Sequence, residues 1–176
     1  AARLTDMDRM GIQQSLLFPT YFAEYFPLAK DPDVSNALAK AYNNWILDFS
    51  QADPTRLFPV AVLPMQEINA AVAELRRVAE LGFKAVFIRP VFIEGRFPNH
   101  PYYHPLWAEL EKLGILFCSH PSWGYNGSEL DASAPYLERI SSYSRIGHPV
   151  AEIMAGNMDN GVFLAGMMTD GLLEKF

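Results

Sequence analysis

Three stretches of the chain repeat one pattern, in which an apolar–Gly–apolar step leads through a strand-like apolar run to a proline. The glycines are Gly11, Gly82 and Gly114, and the prolines that follow them are Pro19, Pro90 and Pro121. Glycine suits the left-handed position just past a helix end. Proline cannot donate a hydrogen bond to a sheet, so it marks the end of a strand. The repeat therefore predicts helix–turn–strand units in series.

A fourth apolar run, 57–63, ends at a proline in the same way. Four such runs in series are typical of an α/β fold with a parallel sheet. The chain is expected to enter directly at its first strand. Apolar residues at helical spacing predict the intervening helices. These helices cover 34–49, 68–79, 105–113 and 149–176, and the first of them has a predicted apolar face of Leu38, Tyr42, Trp45, Ile46 and Phe49.

His120 ends the run 114–120, which is mostly apolar and is stopped by a proline. Such a run predicts a strand that is buried on both faces, as in parallel sheets. The residue at its end then lies at the carboxyl edge of the sheet, where α/β proteins bind their ligands. An imidazole held there could be a metal ligand or an acid–base group. A structural, hydrogen-bonded histidine is the alternative.

Two further residues are candidates for contact with a substrate. Arg89 ends the preceding predicted strand, at the same edge of the sheet, where a guanidinium could bind a carboxylate. The alternative for Arg89 is a structural salt bridge that closes the sheet. Trp123 follows His120 by three residues and could form a wall of the pocket, or it could simply pack under the loop.

Composition narrows the class of protein. Half of the 176 residues are apolar, which is enough for one domain with a core, taken to be 1–176. The net charge of −6 and the lack of a basic run argue against nucleic-acid and membrane-surface binding. No apolar stretch reaches the roughly 20 residues of a membrane span. The single cysteine, Cys118, is expected to be an inert core thiol, which fits a cytoplasmic setting.

Several segments together resemble the amidohydrolase-related proteins, metal-dependent TIM-barrel enzymes that include aminocarboxymuconate semialdehyde decarboxylase. The stretch 7–20 resembles the second barrel strand of that family, and 82–90 resembles the fourth. The stretch 102–107 is similar to the loop and helix start that follow, and Ser119-His120-Pro121 to the fifth strand with its metal-binding histidine. The tail 171–176 is similar to the helix end that leads into the sixth strand.

The resemblance implies a partial (β/α)8 TIM barrel that contains strands two to five, because a complete barrel takes about 250 residues. It also implies a divalent metal, zinc first and manganese second, held by histidine and aspartate. The family's His-x-His pair is absent from this sequence, so only His120 carries over as a ligand. The alternative fold is a doubly wound open sheet, whose strand order would cross a switch point.

The implied function is that of a metal-dependent hydrolase or nonoxidative decarboxylase acting on a small carboxylated or cyclic substrate. The sequence leaves the choice between these two reactions open. The alternative is a catalytically inactive barrel fragment or scaffold without a complete metal site. A partial barrel has two unpaired sheet edges that need a cover, so a homo-oligomer is expected.

Overall fold

A computed structural model describes the backbone of residues 2–120 and 148–176, and the side chains of the same residues except 24 and 148–157. Two single-turn 3-10 helices, Phe26–Leu28 and Pro101–Tyr103, join the regular elements. None of the helices in these two ranges is long and apolar enough to cross a membrane. The elements in chain order are α1 (Ala2–Met10), β1 (Ser15–Leu17), α2 (Thr20–Tyr25), α3 (Pro32–Ser50), β2 (Leu57–Val62), α4 (Ile68–Glu80), β3 (Ala85–Ile88), α5 (His104–Leu113), β4 (Leu116–Ser119), α6 (His148–Thr169) and α7 (Leu172–Lys175).

The four strands form one parallel sheet in the order β1-β2-β3-β4. Each strand lies beside the strand that precedes it in the chain, and helices connect them. This is the order of consecutive strands in a (β/α) barrel, and the predicted partial barrel is confirmed. The doubly wound alternative is wrong, because the strand order does not cross a switch point.

The predicted helix ends follow from local chemistry. The Asp31 side chain caps α3 by accepting hydrogen bonds from two backbone amides of the first turn, and Pro32 takes the first helical position. Gly11, Gly82 and Gly114 all have the left-handed backbone conformation, with φ angles of 68°, 92° and 62°. Each glycine turns the chain from a helix into the segment that leads to a strand, as the repeated pattern predicts.

The start of the chain differs from the expectation in two respects. The chain does not enter directly at a strand, because α1 precedes β1, and a short helix, α2, follows β1. Met7 is the one buried residue of α1 and Leu4 is partly buried, so α1 packs only a short apolar stripe on the core. At the other end, the predicted helix 149–176 is two helices, because Gly171 at φ 66° separates α6 from α7.

The apolar face predicted for α3 is only partly correct. Tyr42 and Ile46 are buried, but Trp45 is 58% exposed and Phe49 is 43% exposed. The buried face of α3 carries Ser35 and Asn43 instead, and both are fully buried. The exposed aromatic residues line an open groove of about 710 Å³ beside β1. The polar residues face inward because they make specific hydrogen bonds there.

One of these polar residues, Asn43, joins the outer layer of helices to the sheet. Its side-chain amide donates to the Val62 carbonyl at 2.9 Å and accepts from the Val62 amide at 2.9 Å. It also donates to the buried Glu74 carboxylate at 2.7 Å. Arg77 forms two hydrogen bonds with Glu74, at 2.8 and 2.7 Å, which raises the pKa of the Arg77 guanidinium. We call Asn43, Val62, Glu74 and Arg77 the outer network.

Candidate active site

Three residues lie at the carboxyl edge of the sheet, and the alternation of side chains assigns two of them to one face. Phe18, Arg89 and His120 come directly after β1, β3 and β4. Because strand side chains alternate between faces, Arg89 shares its face with Phe87 and His120 shares its face with Cys118. Phe87 and Cys118 are paired in the sheet. In a barrel this face points into the lumen, so we call it the lumen face.

Aromatic contacts hold these positions together across the sheet. The Phe18 ring packs edge-on against Phe87, with centroids 6.4 Å apart, and lies 6.5 Å from the His120 ring. Phe18 is 38% exposed and His120 is exposed, whereas Phe87 is buried. The arrangement leaves an imidazole and an aromatic face open at the edge, above a closed apolar floor. The predicted position of His120 at the carboxyl edge is confirmed. The expected burial of its strand on both faces is wrong: Leu116 is 69% exposed and Phe117 is 38% exposed, because β4 has a partner on one side only among the described strands.

The described residues do not complete a metal site. Within 2–120 and 148–176, no group of three or more His, Cys, Asp or Glu side chains is placed to hold a metal ion. His120 supplies one nitrogen donor, whereas a zinc-type site needs three or four protein ligands. The chemistry of the donor fits a divalent metal, but the number of donors in this part of the chain does not. The role of His120 as a metal ligand therefore stays a prediction.

Arg89 lies deeper in the edge than His120 and is only 7% exposed. It borders a small cavity of about 20 Å³, roughly the room that one water molecule needs. The cavity is enclosed by residues from β2, β3, the segments that follow them, and the segment that follows β1. They are Ala23, Phe26, Pro27, Val62, Leu63, Met65, Gln66, Phe87, Arg89 and Ile93. Contact between Arg89 and a substrate stays a prediction.

Trp123 and Cys118 are the two remaining residues singled out in the sequence. Trp123 lies outside the described residues. The half-buried Cys118 is less enclosed than the inert core thiol expected, but burial raises the pKa of its thiol and so keeps it protonated.

His100 accepts a hydrogen bond from the Tyr102 amide and caps a 3-10 turn. His104 contacts Lys175 at 3.1 Å, and burial followed by that charge lowers the pKa of its imidazole.

Two buried polar residues next to this edge, Ser35 and Gln66, are not predicted from the sequence. The hydroxyl of Ser35 donates to the Gln66 side-chain oxygen at 2.6 Å. Gln66, 6% exposed, donates in turn to the Ala29 carbonyl at 2.9 Å. A signal was present, since Ser35 falls on the same helical face as Ala39, Tyr42 and Ile46. A small polar residue on a core face indicates a buried hydrogen bond.

Comparison with known proteins identifies the family. The sequence model of the family described as amidohydrolase matches residues 1–139. The chain belongs to the amidohydrolase family. The resemblance found in the sequence is thereby confirmed. The match includes β1 to β4, and with them Phe18, Arg89 and His120.

Two curated relatives are decarboxylases. The chain is 34% identical over 149 residues to gamma-resorcylate decarboxylase from Rhodococcus jostii strain RHA1, which covers 78% of this chain and 41% of the relative. It is 31% identical over 123 residues to 2-amino-3-carboxymuconate-6-semialdehyde decarboxylase from Dictyostelium discoideum, covering 69% of this chain and 33% of the relative. The chain thus spans less than half the length of these relatives.

Two solved structures share the fold and are more than 25% identical in sequence over the matched residues. One is 2,6-dihydroxybenzoate decarboxylase in complex with 2,6-dihydroxybenzoate, with a TM-score of 0.73 and 26% identity, over 98% of this chain and 51% of the other. The second is dihydroxybenzoic acid decarboxylase from Polaromonas sp. JS666, with a TM-score of 0.60 and 27% identity, over 69% of this chain and 38% of the other. That structure contains manganese and the inhibitor 2-nitroresorcinol.

Proposed function

We propose that the full-length protein is a metal-dependent carboxy-lyase that removes CO2 from a small carboxylated aromatic acid. The lumen face carries the argument, because it combines an exposed imidazole, an exposed aromatic ring and a buried guanidinium at one edge of the sheet. The activities named for the relatives favour decarboxylation over hydrolysis, the two reactions that the sequence leaves open.

Each residue of the edge has a proposed part in binding. Phe18 offers its ring as a wall for an aromatic substrate, in offset or edge-to-face contact. Arg89 places a fixed positive charge beside the lumen, which complements the carboxylate that is to be lost. His120 supplies one ligand to a divalent metal, and the other ligands come from residues outside those described. Trp123 is proposed as a further wall of the pocket.

The reaction itself imposes a requirement on the substrate. The bond between the ring carbon and the carboxyl carbon breaks, CO2 leaves, and the electron pair stays on the ring carbon, which then takes up a proton. Ring hydroxyl groups, as in the dihydroxybenzoate bound to one relative, make such a carbon basic enough to accept the proton. We therefore propose hydroxylated benzoates as the substrate class.

The test measures CO2 release from 2,6-dihydroxybenzoate by the full-length protein loaded with manganese, and separately with zinc. We expect release of CO2 and formation of resorcinol with one or both metals. An ester and an amide of the same acid test hydrolysis in parallel. Hydrolysis of these compounds without CO2 release from any hydroxybenzoate would reject the carboxy-lyase assignment.

Substitution of His120 tests the site itself. We expect His120→Ala to lower the bound metal and to reduce kcat/KM by about 100-fold or more, since even the groups that support metal ligands typically cost 10–100-fold. His104→Ala is the matched control, because His104 contacts the C-terminal region instead of the lumen face. In His120→Ala, the metal content measured by elemental analysis and the activity should both fall. In His104→Ala, neither should change.

A second candidate function rests on a specific observation. Among the described side chains, no group of three or more His, Cys, Asp or Glu could hold a metal ion, which favours the alternative that the chain is a barrel segment or scaffold without catalysis. Elemental analysis distinguishes the candidates. Near-stoichiometric metal in the full-length protein supports the enzyme, and persistent absence of metal after supplementation supports the scaffold.

Three coarser proposals accompany the enzyme. Residues 1–176 are proposed to belong to a single barrel domain. The protein is proposed to be cytoplasmic, and as a barrel segment or scaffold it is proposed to form a homo-oligomer, since β1 and β4 each have a sheet partner on one side only among the described strands. Analytical ultracentrifugation of the full-length protein gives its mass in solution, and cell fractionation gives its location.

A further inference from the structure

The segment Thr20–Leu28, which contains α2 and the 3-10 turn after it, leaves the sheet directly after Phe18 and Pro19. We call this segment the strap. Its inner residues Ala23 and Phe26 are buried and line the small cavity beside Arg89. Its outer residues Tyr21 and Tyr25 are 72% and 61% exposed. The strap therefore forms one wall of the cavity, and its position sets the size of that cavity.

The backbone conformation at the start of the strap is an uncommon one. Thr20 has a positive φ of 38°, which is disfavoured for a β-branched residue. Such a conformation persists only where surrounding contacts hold it in place. At the other end of the strap, Gln66 binds the chain.

Gln66 joins three parts of the molecule through one buried amide. Its nitrogen donates to the Ala29 carbonyl at 2.9 Å and more weakly to the Pro27 carbonyl at 3.5 Å. Its oxygen accepts from the Ser35 hydroxyl at 2.6 Å, and Ser35 is fully buried. Gln66 itself follows β2 and lines the same cavity. The amide thus ties the end of the strap to the edge of the sheet and to α3.

We propose that Gln66 is a positioning residue that holds the strap against the lumen face and so fixes the cavity beside Arg89. This inference rests on the proposed function. The cavity has room for one group of about the size of a water molecule, so it accepts a small ring substituent and rejects a larger one. Gln66 acts through the strap, because its amide already bonds protein groups on both its nitrogen and its oxygen.

The test uses three variants of the full-length, manganese-loaded protein. Gln66→Leu removes the amide at similar size, and Ser35→Ala removes only the hydroxyl that supports it. Gln14→Leu is the matched control, because exposed Gln14 also donates to a backbone carbonyl, that of Thr55, at 3.3 Å. The readouts are hydrogen exchange of the amides of 20–29, the Kd of 2-nitroresorcinol, and kcat and KM for 2,6-dihydroxybenzoate.

We expect Gln66→Leu to raise exchange in the strap by about tenfold or more, because loss of a buried hydrogen-bonded amide leaves its partners unsatisfied. Kd and KM should rise by about tenfold, while kcat changes less than threefold, since the strap shapes binding rather than the reacting atoms. Ser35→Ala should change the same quantities in the same direction by a smaller factor. Gln14→Leu should change none of them.

Two results would overturn the proposal. One is unchanged strap exchange in Gln66→Leu or, if that variant does not fold, in Ser35→Ala. The other is faster strap exchange with an unchanged Kd for 2-nitroresorcinol, which would make Gln66 a structural residue only. Absence of turnover in the wild-type protein would count against the proposed function. It would leave the exchange and binding measurements to decide the role of Gln66.

Discussion

The two sides of the sheet differ in how their polar groups are used. On the helix side, the outer network satisfies both backbone groups of Val62 and pairs the buried carboxylate of Glu74 with Arg77. On the lumen side, His120 and Phe18 stand at the edge with their rings exposed. The comparison indicates that the helix side contributes stability, whereas the lumen side presents exposed rings at the edge of the sheet. Substitutions on the helix side should therefore lower stability, and substitutions on the lumen side should weaken ligand binding.

The largest effect on stability is expected for Asn43→Ala. This change leaves the amide and carbonyl of Val62 without their side-chain partner and removes a hydrogen bond to buried Glu74. We expect a loss of about 3 kcal/mol in the free energy of unfolding, measured with urea. Asn44→Ala, one position along on the exposed side of α3, is the control. It removes one exposed hydrogen bond from Arg77, at 2.9 Å, and should cost less than about 1 kcal/mol. Equal losses of unfolding free energy in the two variants would contradict the claim that the outer network stabilises the fold.

Phe18→Leu should show the opposite behaviour. Because Phe18 is 38% exposed, we expect it to cost about 1 kcal/mol of stability or less. Loss of its ring beside His120 should weaken the binding of 2-nitroresorcinol by about fivefold, as expected for an aromatic contact. Tyr21→Leu, on the outer side of the strap, should leave binding unchanged. Titration calorimetry of the full-length protein gives both affinities.

A smaller effect is expected from the pair on the outer helices, where Arg76 of α4 binds Glu109 of α5 at 3.0 and 2.9 Å. These hydrogen bonds, helped by Lys112, lower the pKa of Glu109 from 4.5 to about 2. A lowered pKa stabilises the folded state above the unfolded value, and the stabilisation is lost as the pH falls from about 4.5 to 2. Glu109→Gln should flatten this part of the stability–pH curve.

The control for this measurement is Glu111→Gln, since Glu111 is exposed on the same helix. Urea unfolding at several pH values between 2 and 6 gives the slope for each variant. A slope that falls equally in both variants would show that the Arg76–Glu109 pair has no specific part in acid unfolding.

The smallest effect is expected for Tyr42→Phe. The Tyr42 hydroxyl is buried and makes no hydrogen bond with any of the described residues, and its burial raises the pKa of the phenol. Removing a buried, unsatisfied hydroxyl should leave stability unchanged or raise it by up to about 1 kcal/mol. Tyr103→Phe is the matched control and should destabilise, because the Tyr103 hydroxyl donates to the Met65 carbonyl at 3.2 Å. Urea unfolding of both variants at neutral pH decides whether the sign differs.

The sequence predicts the strands and their edge residues well because glycine and proline act locally. Gly82 and Pro90 limit one strand whatever surrounds it, and His120 and Arg89 follow from where such strands end. The sequence does not predict a side chain's position where a contact between distant segments decides whether that side chain is buried. The inward position of Asn43 depends on Val62, and that of Ser35 depends on Gln66. Only the folded chain brings these partners together.

The spacing of the paired strands has a consequence for how the chain folds. Val60 pairs with Ala85, whereas Ser15 must reach Leu57, across a longer stretch that contains α2 and α3. Closing a longer loop costs more entropy, and β1 has only three residues to offset it. Of the four described strands, β1 is therefore expected to join the sheet last. Until it joins, the edge of β2 that β1 covers in the folded sheet has no strand partner.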